Sequence, residues 1–239
     1  MKNSFLFVQI LALCFLTFSV ARAAPAAEEY YKCVKAYYDE TVNEDGTENI
    51  KNTVSITILR QDAVEMFKQY PISYSTSAEK VDVIEAYTQK ADGRRIDAPK
   101  DNFQTDIAGG RAGAAPAFSD ESTLTVVFPD LAVGDTINLV YNRAVTDPLF
   151  PKQFSNVHRF PKRGLYDDVR VSYSIPLSLK ARYKAFGMTE TVNKEQDGRQ
   201  MLTWTFKNTE AKKTKYTATP VTEIGDDPGV IVSTFTSYA

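Results

Sequence analysis

Along this chain the most regular signal is an alternation of apolar and polar side chains with a period of two. In 53–59 (TVSITIL), Val54, Ile56 and Ile58 alternate with Thr53, Ser55 and Thr57. In 169–175 (VRVSYSI), Val169, Val171, Tyr173 and Ile175 alternate with Arg170, Ser172 and Ser174. In 201–207 (MLTWTFK), Leu202, Trp204 and Phe206 alternate with Thr203, Thr205 and Lys207. Successive side chains of a strand point to opposite faces. Each run therefore predicts a strand with one face in a core and one toward solvent, as in antiparallel sheets. Segments 29–39, 124–128 and 137–142 are rich in β-formers but alternate less cleanly, the pattern expected of strands covered on both faces.

The punctuation agrees with strands. Asp-Gly stands between strand-like runs at 45–46, 92–93 and 197–198. That dipeptide predicts two-residue hairpins, in which both central residues take positive φ. Prolines such as Pro71, Pro129, Pro148, Pro161 and Pro176 fall where strands end or turn. Helix signals are few. Residues 61–70 (QDAVEMFKQY) could form about two helical turns on propensity, but the position after a predicted strand favours another strand. Residues 107–120 (IAGGRAGAAPAFSD) are too small and glycine-rich to pack a core and read as a long surface loop. With no repeat and no linker, the expectation is an all-β fold: a single domain over 24–239, built as a large antiparallel β-sandwich with little helix.

The first 23 residues stand apart. Lys2 is followed by an apolar run from Phe5 to Val20, and Ala21-Arg22-Ala23 places small residues where a signal peptidase reads. This is the layout of a cleaved secretory signal, with export to the periplasm or medium. The run is shorter and more polar than the roughly 20 apolar residues of a spanning helix, and no later stretch could span a bilayer. Cys14 lies inside the apolar run, preceded by Leu13, so it reads as filler of the signal core. Cleavage leaves Cys33 as the remaining cysteine, which can form no internal disulfide, so the fold must rest on core burial.

Composition narrows the function classes. The chain has 239 residues, 28 Lys+Arg against 30 Asp+Glu, and one histidine. A net charge of −2 gives no electrostatic reason to expect nucleic-acid binding. A single histidine leaves little room for a His-based metal site or multi-His acid–base chemistry.

The order of several segments is more telling. EAYTQKADGRRIDAPKDNF (85–103) precedes APAFSD (115–120), FPDLAVGDTINLVY (128–141), PLFPKQFS (148–155) and VSTFTSYA (232–239). This series resembles an uncharacterised bacterial β-domain family that usually sits N-terminal to a transglutaminase-like core in exported proteins. The resemblance implies a thiolate enzyme core following the last segment. The sequence given stops at Ala239, so the resemblance carries over no catalytic residue. It implies instead a non-catalytic accessory or interaction module, with a separate transglutaminase-like or envelope protein as partner and no cofactor.

Few residues compete as sites. Cys33 and His158 are the one conceivable thiolate pair, yet Cys33 lies in a β-rich stretch without the helix start that commonly activates such a thiol. His158, beside Arg159, Lys162 and Arg163, reads as a polar surface residue. Glu223, Asp226 and Asp227 lie in a turn sequence that matches no calcium loop. Lys212, Lys213 and Lys215 read as a guard on an edge strand. The candidate interaction surface is Phe118, Ser119 and Asp120 with Phe150 and Phe154: aromatics among turn-formers, which could anchor a partner or plug the open end of the sandwich. The alternatives are a small-ligand or glycan site built on Tyr30-Tyr31 and Tyr37-Tyr38, and, ranked last, a stand-alone hydrolase using carboxylates or Cys33 with His158. Alternation, however, turns one member of each tyrosine pair inward.

Overall fold

The computed structural model describes residues 29–107, 120–211 and 227–236. The strands in chain order are β1 (Tyr31–Val42), β2 (Glu48–Ile58), β3 (Gln69–Ser75), β4 (Glu79–Gln89), β5 (Arg95–Asp97), β6 (Phe103–Ile107) and β7 (Glu121–Val127). They continue with β8 (Thr136–Val145), β9 (Ser155–Arg159), β10 (Tyr166–Pro176), β11 (Arg182–Phe186), β12 (Thr189–Gln196), β13 (Arg199–Asn208) and β14 (Gly229–Ser233). The fold is all-β. One sheet runs β12-β13-β10-β1-β2-β8-β4-β5, and two three-stranded sheets run β11-β14-β9 and β3-β7-β6. The alternating runs at 53–59, 169–175 and 201–207 fall on β2, β10 and β13.

The two small sheets cover two halves of one face of the large sheet. Ile56 pairs with Cys33 and Val54 with Ala36. Directly paired residues share a face, so the cores on either side of the β1–β2 pair open to the same side. One core joins β1, β10 and β13 to β14 and to Phe154 and Phe160 at the two ends of β9, through Val171, Tyr173, Leu202, Trp204, Val230 and Val232. The other joins β2, β8 and β4 to β3 and β7, through Ile56, Ile58, Ile72, Val126, Ile137 and Leu139. The opposite face of the large sheet carries polar pairs: Ser55 bonds to Asn138 at 2.7 Å, and Thr57 and Thr136 meet at 2.7 Å.

Four local expectations need correction. Every pairing in the large sheet is antiparallel except one: β1 and β10 run parallel, with Glu40 level with Tyr173. Strand β1 is not covered on both faces. A bulge between Cys33 and Lys35 shifts its register, so Cys33 and Ala36 both face inward while Tyr37 and Asp39 stay half-exposed. Residues 61–67 form a helix, α1 (Gln61–Phe67), and the strand begins at Gln69. Ala63 and Val64 are buried together, with Phe67 packed on the same core. A spacing of i, i+1 and i+4 suits one face of a helix and not of a strand. The chain needs this turn to pass from the large sheet to the small one.

The last correction concerns the turns. At 197–198 both residues take positive φ, as a two-residue hairpin requires. At 45–46 and 92–93 only the glycine does. There Gly46 N donates to Asn43 O and Asn43 N to Thr47 O. Gly93 repeats the pattern with Lys90 and Arg94. These are three-residue loops in which a tight turn ends on a left-handed glycine. At Gly46 the constraint is double, since an added Cβ would lie 2.9 Å from the carbonyl oxygen of Gln153.

Candidate functional site

The inward face of β1 and β2 is apolar near Ile56 and Val54 but changes character toward the 43–47 turn. In step with Ala36 come Tyr38, Glu40 and Val42, and paired with these on β2 are Asn52, Ile50 and Glu48. Level with Glu48 on β8 is Val145, and beyond it on β4 is Glu79. Between the two cores the large sheet therefore aims carboxylates at its own covering layer.

Glu40 is the deepest of them, with its side chain fully buried. Its carboxylate is held by β9, whose His158 lies with Nε2 at 2.5 Å from Oε1. Asn156 Nδ2 donates to both oxygens, at 3.1 and 3.0 Å. The His158 ring lies 4.5 Å from that of Tyr38 and 6.3 Å from that of Tyr173. The expectation of a surface histidine is therefore overturned: only 12% of its side chain is exposed, because the β9–β14 pairing lays His158 over β1. Burial, then the Glu40 and Glu48 carboxylates, hold the Tyr173 phenol well above its ordinary titration range. Its buried hydroxyl makes no bond of good geometry.

Glu48 is set differently. Its Oε2 is buried with no hydrogen-bond partner. Burial first, then the Glu40 and Glu79 carboxylates, push its carboxyl up to about 7, and Arg143 opposes them only partly. Arg143 is already committed, through Nη1 to Glu79 at 3.4 Å and through Nη2 to the Ser73 carbonyl at 2.6 Å. Glu48 therefore holds its proton at a pH where an ordinary carboxyl has lost it.

Glu48 also lines an open cleft of about 290 Å³ at this end of the sandwich. The other walls come from Gly46, Val145, Phe150, Phe154 and Phe235, among others. The 148–155 segment and the 234–236 segment are clasped together there. Phe154 N donates to Thr234 Oγ1 at 2.8 Å, and Thr234 N to Phe154 O at 2.9 Å. The Phe150 and Phe235 rings meet edge to face at 5.5 Å. On the rim Leu149 is 86% exposed and Phe150 55%, beyond the usual scatter of single surface apolar residues.

The predicted interaction residues divide. Phe150 stands on the cleft rim. Phe154 does not form an exposed anchor: it is buried against Tyr173, with ring centroids 5.8 Å apart. It plugs the sandwich end and floors the cleft. Asp120 is not part of the cleft lining; it accepts hydrogen bonds from Ser75 and Ser77 and ties down the β3–β4 turn. Phe118 and Ser119 lie outside the described residues, as do Glu223, Asp226 and the lysines 212, 213 and 215. Asp227 accepts from Lys162 N at 3.1 Å. Among the described residues no group of three His, Cys, Asp or Glu side chains is placed to hold a metal ion, and no helix is long and apolar enough to cross a membrane.

The thiolate pair fails on chemistry. His158 is engaged by Glu40, and Cys33 Sγ donates to the Lys35 carbonyl at 3.5 Å. Burial pushes the Cys33 thiol up to about 11, helped by nearby Asp167. A nucleophilic cysteine needs the opposite shift. In the folded protein Cys33 is expected to resist alkylation by iodoacetamide at pH 8 and to react fully once urea unfolds the chain. Rapid labelling of the native protein would contradict this environment. The tyrosine pairs divide: Tyr38 turns inward onto His158, whereas Tyr30 and Tyr31 are both exposed, against the expected inward turn of one, with Arg60 over the Tyr30 ring at 4.4 Å and Arg170 over the Tyr37 ring at 4.1 Å.

The family model described as a domain of unknown function with a solved structure, DUF3857, matches residues 44–213. The chain belongs to that family. No curated protein matches. Among solved structures, a Parabacteroides distasonis ATCC 8503 protein named a "putative protease" superposes with a TM-score of 0.76 at 21% identity, over 87% of this chain and 41% of that one. A two-domain M1 zinc metallopeptidase with bound L-arginine gives 0.41 at 15% identity, over 84% of this chain and 42% of that one. The M1 zinc metallopeptidase of Deinococcus radiodurans gives 0.39 at 15%, over 85% and 42%. The chain thus spans about two fifths of the length of these structures, and the Parabacteroides likeness shows the fold. Segment 148–155 and the described part of 232–239, up to Thr236, both of which carry the family resemblance, meet at the cleft through Phe150, Thr234 and Phe235.

Proposed function

We propose that this domain is a non-catalytic interaction module of exported proteins, docking a transglutaminase-like or other envelope protein at the apolar rim of the cleft. The observation that carries the reading is the rim itself. Leu149, Phe150 and Phe235 gather exposed apolar surface at the mouth of a concavity, and aromatic anchors in pockets dominate protein recognition. The Parabacteroides relative supports it, since more than half of that chain lies outside the shared fold. The titratable groups support the non-catalytic part: the thiol is driven toward its inert form, and Glu40 and His158 bind each other beneath β9. The signal layout of residues 1–23 supports export.

The reading predicts where a partner touches. A photo-crosslinking amino acid at Leu149, introduced in the host that makes the protein, should give one discrete adduct containing a transglutaminase-like domain. Phe150→Asp should remove that adduct without unfolding the domain, because the ring is more than half exposed. The control position is Met66 on α1, 56% exposed at the opposite end of β2. Equal labelling at both positions, or none at Leu149, would count against docking at this face.

A further inference from the structure

We infer that the group entering the cleft is an alkyl cation, a lysine-like side chain of the docked protein whose stem lies on Phe150 and Phe235 and whose ammonium meets Glu48. The inference rests on the docking reading and names the chemistry of what docks.

The argument is one of complementarity. Among the described lining residues Glu48 is the one charged side chain, and the rest are apolar, amide, hydroxyl or backbone groups. An anion would meet a carboxylate with no cation in the wall. A purely apolar group would fill the mouth but offer the Glu48 carboxyl in the lining no partner. A long aliphatic stem with a charged tip satisfies both, since such side chains lay their methylenes on apolar surface and keep the head on a polar partner. The groups around Glu48 fit the same occupant. Glu40 on β1 and Glu79 on β4 are acidic, Tyr173 on β10 is a neutral phenol, and His158 on β9 is turned to Glu40. Arg143 on β8, the nearby cation, is drawn off by Glu79 and the Ser73 carbonyl. The net field at Glu48 therefore favours an incoming positive charge.

The inference carries its own pH dependence. An unliganded Glu48 keeps its proton up to about pH 7, and an ammonium binds the carboxylate and not the acid. Affinity for a cation should rise about tenfold between pH 6 and pH 8.5, whereas that of a neutral isostere should stay flat.

Three probes of equal length separate the terms: n-butylammonium, n-butanol and butyrate, titrated into the labelled domain and followed by the amide shifts of Gly46, Phe150 and Ser155. The expected result is saturable binding of butylammonium at pH 8.5, at least about tenfold tighter than butanol, with no binding of butyrate. Glu48→Gln should then bind the amine and the alcohol alike. Equal affinity of amine and alcohol for the native protein would overturn the cation assignment while leaving the apolar docking face standing. Failure of all three probes would overturn the cleft as a site and remove the docking reading with it.

Discussion

Replacing Glu40 by alanine should destabilise the domain by about 1–3 kcal/mol, the usual cost of leaving buried hydrogen-bonding groups without their partner. The carboxylate is fully enclosed and accepts from Asn156 Nδ2 on both oxygens while meeting His158 Nε2. Its loss strips β9 of the groups that fasten it over β1, and it opens a void beside Tyr173. Urea unfolding at pH 7 reads the effect as a lower midpoint at unchanged slope. Glu40→Gln keeps an acceptor and the side-chain volume, and should cost markedly less. Alanine and glutamine variants of equal, near-native stability would mean that the Glu40–His158–Asn156 cluster does not hold the two layers together. The alanine variant has a second signature: without the Glu40 charge, one of the influences raising Glu48 is gone, so the titration of Glu48 should move down.

The second large effect has the opposite sign. Glu48→Gln should stabilise the domain at pH 8 by about 2–3 kcal/mol and leave it nearly unchanged at pH 5. The unfolded chain releases this proton near its ordinary value of 4.5, and the folded chain holds it up to about 7. Between these values the folded state binds the extra proton, so native stability falls as pH rises from 4.5 to 7 and stays lower above. Glutamine cannot ionise and removes that slope. A native protein that loses no stability across this window, or a glutamine variant that is weaker at pH 8, would contradict the burial and repulsion assigned to Glu48.

How much of this was legible in the sequence depends on whether the information is local. The alternation of Val169, Val171, Tyr173 and Ile175 located β10 and its inward face. The run of Leu202 and Trp204 did the same for β13. Phase alone also places Glu40 in step with Ala36, Tyr38 and Val42, and Glu48 in step with Ile50 and Val54. Acids at inward positions are thus a readable signal, a weak one because each stands alone in its strand, outside any motif or cluster. What could not be read is non-local. The parallel pairing of β1 with β10 joins residues more than a hundred positions apart and leaves no trace in either strand's pattern. His158 sits in a short stretch full of basic residues, and only the β9–β14 ladder reveals that it is laid over β1. The bulge after Cys33 broke the alternation of β1, so a one-sided strand mimicked a two-sided one.

The resemblance segments gain physical meaning in the fold. In 85–103 and 128–141, Lys90 pairs with the buried carboxylate of Asp135 at 2.7 Å, and Ala91 N and Ala132 N donate to the same group. Thr88 Oγ1 donates to the Pro129 carbonyl at 2.8 Å. Those segments lock the β4–β5 hairpin to the turn before β8, a structural role. Segment 148–155 and residues 232–236 line the cleft instead, where Thr234 fastens Phe154 and Phe235 meets Phe150. The division between scaffold and site follows from these bonds.

The most direct measurement is a titration of the Glu48 carboxyl carbon by NMR in the native protein, assigned by the signal missing from Glu48→Gln. The account predicts a single midpoint near pH 7, moving down when butylammonium is added. A midpoint near 4.5 that the amine leaves in place would mean that Glu48 is an ordinary, solvated carboxylate, and that the cleft at Phe150 has no special charged group in its wall to offer a partner.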